Sequence, residues 1–331
     1  MPSLTDRART LAPGLATALV VAAAATFLSE HYTAPVMLYA LLLGMAFNFL
    51  TEQERTRAGI DFASKALLRT GVALLGLKIG WSQVTALGWS PVVMVLAMVA
   101  ITIGLSVLLA KAFGFNPLFG FLSGGATAIC GASAALALSA ALPAHEKKEQ
   151  ATLFTVIGVS ALSTLAMIAY PIIAHATGLS NHQAGVFIGA TIHDVAQVVG
   201  AGYAISPEAG DTATIVKLLR VAMLLPVILV AGQITRTSAA PGTSRPPLLP
   251  WFVVAFALLV LVNSVVTVPP LVSAAGNDLS RGCLIASIAA IGMKTRLGDI
   301  VALGLRPVAL MVLETALLAA MVIVLLKSGL V

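Results

Sequence analysis

Long apolar runs, each closed by a few charged or turn-forming residues, dominate the pattern along the chain. They lie at roughly 11–28, 34–50, 66–80, 90–112, 118–142, 151–176, 183–205, 212–234, 249–268, 282–293 and 307–327. Hydrocarbon offers no partner to a bare N–H or C=O, so a spanning segment must be a helix of about 20 apolar residues or a strand of a closed barrel. The runs have helix length. The pattern predicts an all-α integral membrane protein with about 9–11 transmembrane segments, read as one polytopic domain over residues 1–331.

Two runs are interrupted. "SGGATAICGASAALALSAA" (123–141) holds three glycines among small hydroxyl residues, and "GATIHDVAQVVGAG" (189–202) holds His193 and Asp194 within apolar sequence. Glycine inside a helix costs about 1 kcal/mol relative to alanine. Two explanations fit the first run. Ser123, Thr127 and Gly131 fall at i, i+4 and i+8, a small-residue face suited to close helix packing. Alternatively the segment unwinds, and its free amides and the following helix amino terminus bind an anion.

The second run supplies charge. An aspartate at mid-bilayer costs roughly 2.5–3.5 kcal/mol on insertion scales, so such residues mark functional sites by default. Thr191, Asp194 and Gln197 share one helical face, and His193 lies one turn before Gln197.

Repeats add organisation. From Leu67 and from Cys283 the sequence matches itself at an offset of 216, pairing Gly76, Lys78, Leu87, Gly88 and Pro91 with Gly292, Lys294, Leu303, Gly304 and Pro307. A shorter echo pairs Gly125, Ala126 and Thr127 with Gly189, Ala190 and Thr191. Glycine-interrupted segments in related positions point to a transporter built of two inverted, pseudosymmetric halves. The repeat-related elements occupy 66–142 and 183–327, and "RTSAAPGTSRPP" opens a polar linker over 236–248. Sorting the loops by charge favours nine spans plus two re-entrant elements, with two fully spanning broken helices as the competitor.

Composition agrees with the pattern. The 331 residues are 59% hydrophobic and 10% charged, against about 25% charged in soluble domains. The net charge of +6 concentrates in short connections such as "DRAR" and "TEQERTR", which reads as positive-inside orientation with a cytoplasmic amino terminus, not as nucleic-acid binding. Arg7 and Arg9 precede a long first segment without a clear cleavage site, so that segment is expected to be retained. The two cysteines, Cys130 and Cys283, lie in apolar runs and build no disulfide framework.

Other polar residues have simpler readings. Lys78 and Lys294 sit near segment ends, where lysine snorkels to the interface. Arg69 either complements an anion or anchors its helix, and Glu314 is either paired or a coupling site. Asn48 and Asn263 suit interhelical hydrogen bonding, Pro91 and Pro307 suit helix starts, and Trp81, Trp89 and Trp251 suit an aromatic belt. No phosphate loop and no metal-ligand spacing occurs, so no cofactor or metal is expected beyond a coupling proton or sodium ion.

"GATAICGASAALALSAALP", "GATIHDVAQVVGAGYAIS" and "LLRTGVALLGLKIG" together resemble the YeiH-type family of bacterial inner-membrane proteins, labelled sulfate exporters. That family usually carries glutamate beside the histidine; this chain has the shorter Asp194. The resemblance extends to the superfamily of cation/proton antiporters and bile-acid symporters. It implies a core domain of crossed broken helices with a scaffold domain, elevator-type alternating access, and substrate held where the discontinuous segments meet.

The expectation is therefore a bacterial inner-membrane secondary transporter, not an enzyme, exporting a small anion such as sulfate, sulfite or an organic sulfonate. Gly124, Gly125, Thr127, Ala128, Cys130, Gly131, Ser133, Thr191 and Gln197 form its expected substrate site, and His193 and Asp194 its coupling site. The alternatives are a cation/proton antiporter with Asp194 as its ion site, and an intramembrane enzyme using His193 and Asp194 as acid and base. Expected partners are the substrate anion, the lipid bilayer and a second copy in a homodimer, with no nucleic acid.

Overall fold

The computed structural model describes residues 4–32, 36–78, 85, 88–142, 148–234, 251–266, 268–295 and 304–329. The 236–248 linker, Trp81, Leu87, Leu303 and much of the 294–306 connection lie outside them. The regular structure of the described residues is all helix, with no strand among them.

In chain order the helices are α1 (Leu4–Tyr32), α2 (Val36–Ala46), α3 (Glu54–Phe62), α4 (Leu68–Leu74), α5 (Trp89–Ala112), α6 (Pro117–Ala128), α7 (Ala132–Ala141), α8 (Lys148–Ala176), α9 (Asn181–Thr191), α10 (Val195–Ile205), α11 (Pro207–Ala222), α12 (Leu224–Ile234), α13 (Trp251–Val265), α14 (Pro270–Lys294) and α15 (Leu305–Lys327). A π-type turn at Ala63–Leu67 joins α3 to α4, and a 3₁₀ turn at Leu75–Leu77 extends the latter. Among the described residues, five stretches are long and apolar enough to cross a bilayer: Ala8–Tyr32, Trp89–Ala112, Gln150–Ala176, Pro207–Ala231 and Leu305–Lys327. Exposed apolar side chains such as Phe27, Leu108, Leu258 and Val324 suit contact with acyl chains.

The hydrophobic runs locate the helices but misjudge two of them. The described part of the run at 66–80 continues helix that begins at Glu54, and the run at 282–293 is the second half of α14. Both extensions are polar, and hydropathy alone does not see that their polar groups find partners on the other helix. Lys294 pairs with Asp61 at 2.5 Å, and Ser280 donates to the Gly71 carbonyl at 2.7 Å.

The chain divides into two compact units. The first holds residues 1–86, 199–206 and 251–296. Its helices meet at glycines. A Cβ on Gly14 would strike the Thr56 carbonyl of α3, and one on Gly44 would strike the Ala289 carbonyl of α14. Asn48 donates to Met293 O, the interhelical bond expected of it. Lys78 sits over the Tyr203 ring, so the two repeat-matched lysines have different partners.

The second unit holds residues 87–198, 207–250 and 297–331. Gly88 and Gly304, paired by the repeat, each open a long helix with φ of +75° and +83°, a region that favours glycine. Both interrupted helices start in this unit from signals legible in sequence. Asn116 caps α6, its side chain accepting from the Leu118 N–H at 2.9 Å with Pro117 following. Ser180 and Gln183 form a reciprocal capping box on α9.

Candidate functional site

Both glycine- and polar-rich segments break where the sequence is least compatible with helix. Between α6 and α7, Ile129 adopts φ −111°, ψ −86° and Gly131 adopts φ +64°, ψ −130°. Between α9 and α10, Ile192 is extended at φ −67°, ψ 139°. The breaks lie against each other. A Cβ on Gly131 would collide with the Asp194 carboxylate, and the Ala132 amide of α7 donates to that carboxylate. The Asp194 amide interacts with Ser163 Oγ at 3.0 Å, tying the second break to α8.

A helix that ends in apolar surroundings leaves carbonyls without partners. Two cations of α11 take those of the crossing. Lys217 Nζ donates to Ile129 O at 2.7 Å and to Ile192 O at 2.9 Å. Arg220 donates from Nε to Ala128 O at 2.7 Å, from one terminal nitrogen to Gly189 O at 3.1 Å and Ile192 O at 3.0 Å, and from the other to Thr127 O at 2.7 Å. Both are fully enclosed, at 0% and 2% exposure. The carboxyl ends of α6 and α9 carry about half a negative charge each, and these cations compensate them.

His193 is buried and bridges two elements. Nδ1 stands 3.2 Å from Thr127 O and Nε2 stands 3.0 Å from Thr315 Oγ1. A carbonyl only accepts, so Nδ1 carries hydrogen. The Thr315 hydroxyl has one proton, and Met311 O lies 2.8 Å from it. Donated to Nε2, that proton fixes a neutral imidazole; donated to Met311 O, it leaves Thr315 as acceptor for a charged one.

Glu314, beside Thr315 on α15, lies on the other side of α6. Ser123 Oγ donates to Oε1 at 2.8 Å and Thr127 Oγ1 to Oε2 at 3.5 Å.

The expected site residues divide. Thr127, Ala128, Cys130, Gly131, His193 and Asp194 form or flank the two breaks, with Asp194 half-buried and the rest buried. Thr191 turns its hydroxyl to Phe187 O in its own helix. Gln197 reaches Thr164 Oγ1 at 3.5 Å, and its buried Oε1 has no partner among the described residues. Ser133 is exposed in the first turn of α7. Gly124 and Gly125 stand apart from the crossing: they lie inside α6, and a Cβ there would strike Ser106 of α5 and Leu138 of α7. They serve close packing, the reading given above for Ser123, Thr127 and Gly131.

The sequence reading missed Lys217 and Arg220. Their signal was present, since two cations three residues apart on one face of an apolar helix are as costly as the aspartate that drew notice.

The family described as Conserved hypothetical protein 698 matches residues 13–311. A UPF0324 membrane protein of Chlorobaculum tepidum is 52% identical over 94% of this chain and 88% of its own. One of Rhizobium meliloti is 48% identical over 95% and 92%, and UPF0324 membrane protein TauZ of Paracoccus denitrificans is 48% identical over 94% and 93%. Each is named as a membrane protein. No solved structure matches.

Proposed function

Because the chain belongs to the family described as Conserved hypothetical protein 698, with the UPF0324 membrane proteins as its relatives, we propose that it is a secondary active transporter of a small anion. The observation that carries this reading is the crossing of two interrupted helices over two enclosed cations and one carboxylate. Lys217 and Arg220 set two formal positive charges against the one negative charge of Asp194, and the half-charges at the carboxyl ends of α6 and α9 are matched by those of opposite sign at the amino ends of α7 and α10, which leaves an excess of one positive charge. Such a site suits an anion.

Asp194 occupies the place the anion would take. Its carboxylate accepts from the Ala132 amide at the start of α7, where an incoming oxyanion would find the same donor and the same helix dipole. Loading then means displacing an internal carboxylate, and release means its return. The change of partners at His193 and Thr315 offers a means of coupling to a proton. The cation/proton antiporter has less support, because the carbonyls at the crossing, which a bare cation would need as ligands, are already held by Lys217 and Arg220.

Export of a sulfur oxyanion or sulfonate by an elevator-type movement is the specific form proposed, and flux into proteoliposomes tests it. Labelled sulfate and sulfite should exchange through the native protein, and Asp194→Asn should abolish coupled flux while leaving the protein folded. Sodium-dependent proton movement with no anion flux would replace this reading with the antiporter.

A further inference from the structure

Glu314 is 2% exposed, the tenth residue of the 23 in α15. A carboxylate so placed requires a counter-charge or a proton, because an unpaired ion in a low-dielectric interior is far costlier than the neutral acid. Every interaction recorded for it is with a hydroxyl. Ser123 and Thr127 of α6 donate to its two oxygens, and Ser106 of α5 lies beside it. Thr102 of α5, also 2% exposed, lines the same narrow crevice, and its Oγ1 has no partner among the described residues. Among the described residues no cation lies within ion-pair distance of Glu314, and no titratable side chain of α8 interacts with it. The crevice, lined also by Leu105, Leu109, Leu317 and Met321, is too narrow for a water molecule. A hydrated cation does not fit there; a proton needs no room.

The position is wired to the crossing. Thr127 turns its hydroxyl to Glu314 and its carbonyl to His193 Nδ1 and Arg220. Thr315, the next residue, meets His193 Nε2. One turn of α15 therefore touches both faces of the junction. Charge gives the linkage its sign. Ionised Glu314 puts a negative charge on the far side of Thr127 that disfavours an anion at the crossing, and protonated Glu314 removes it.

We propose that Glu314 is a proton-binding site, and that its proton and the anion at the helix crossing favour each other's binding through Thr127. The linkage rests on the transporter reading; the proton site does not. Reciprocity follows from thermodynamics, so whatever the proton does for the anion, the anion does for the proton.

Infrared difference spectroscopy of the purified protein tests both parts. At neutral pH the native protein should show the carbonyl stretch of a protonated carboxylic acid in a dry site. That band should vanish in Glu314→Gln and persist in Asp194→Asn, where the added positive balance should move its disappearance on alkalinisation to lower pH. If Glu314→Gln does not fold, Ser123→Ala reads the same group, since losing one hydrogen bond must shift its frequency. A band absent from the native protein, or unchanged in Glu314→Gln and Ser123→Ala, overturns the proposal. Displacement of the band by sodium chloride and not by choline chloride, at constant pH, would make this a cation site and overturn it equally. An unmoved titration in Asp194→Asn would remove the linkage. Should the band behave as expected while neither labelled sulfate nor sulfite is carried, the transporter reading fails and the proton site stands.

Discussion

Replacing Arg220 by methionine keeps an apolar stem of similar reach and deletes all four of its hydrogen bonds. Thr127 O would retain His193, and Ile192 O would retain Lys217. Ala128 O and Gly189 O would lose their cationic donor outright. A buried acceptor left unsatisfied costs about 1–3 kcal/mol. Lys217→Met is the control, because it deprives only Ile129 O, Ile192 O being still held by Arg220. Each variant also removes one enclosed cation, a relief of roughly 2.5–3.5 kcal/mol on insertion scales that largely cancels between them. The difference is thus one orphaned carbonyl. Arg220→Met should be less stable than Lys217→Met by about 1–3 kcal/mol, or roughly 1–2 °C in midpoint for each kcal/mol. Thermal unfolding of the two purified variants in one detergent, followed by tryptophan fluorescence, measures it. Equal midpoints, or a less stable Lys217→Met, would refute the view that the guanidinium ties the two breaks together.

Three further outcomes are expected. Gly131→Ala forces an L-residue to φ +64° against the Asp194 carboxylate, and should cost at least 1–2 kcal/mol in a thermal midpoint and impair anion flux. Thr315→Val removes one of the two partners of His193 and should lower proton-coupled flux more than anion exchange in proteoliposomes, with the protein still monodisperse. Gly44→Val should be severely destabilising, because its Cβ would enter the Ala289 carbonyl of α14, and the loss should show as aggregation on size-exclusion chromatography.

Much of the fold was legible because a bilayer limits the alternatives. Apolar runs gave the helix locations, and Gly131 with the His193–Asp194 pair gave the breaks. The polar stretches that precede the two runs were not legible, since Asp61 finds its partner Lys294 233 positions away and Ser280 finds the Gly71 carbonyl 209 positions away. The site was half legible. Asp194 announced itself as a charge in apolar sequence, whereas Lys217 and Arg220 were passed over inside the 212–234 run, because their partners are backbone carbonyls of other segments. Gly124 and Gly125 were ambiguous for the opposite reason. Glycine marks both an unwound backbone and a close packing contact, and only the neighbouring Ser106 and Leu138 separate the two.

The glycine contact between α2 and α14 has a consequence for how the chain is made. The apolar portion of α14 falls well short of the length that enters a membrane unaided. Gly292 follows Gly44 by 248 positions, so at about 5–20 residues per second the earlier partner waits roughly 10–50 s at the translocation machinery before the later one emerges. Biogenesis must therefore either shelter the bare surface of α2 during that interval or leave it exposed to whatever helix arrives first, which makes early truncation products of this chain natural clients of membrane quality control.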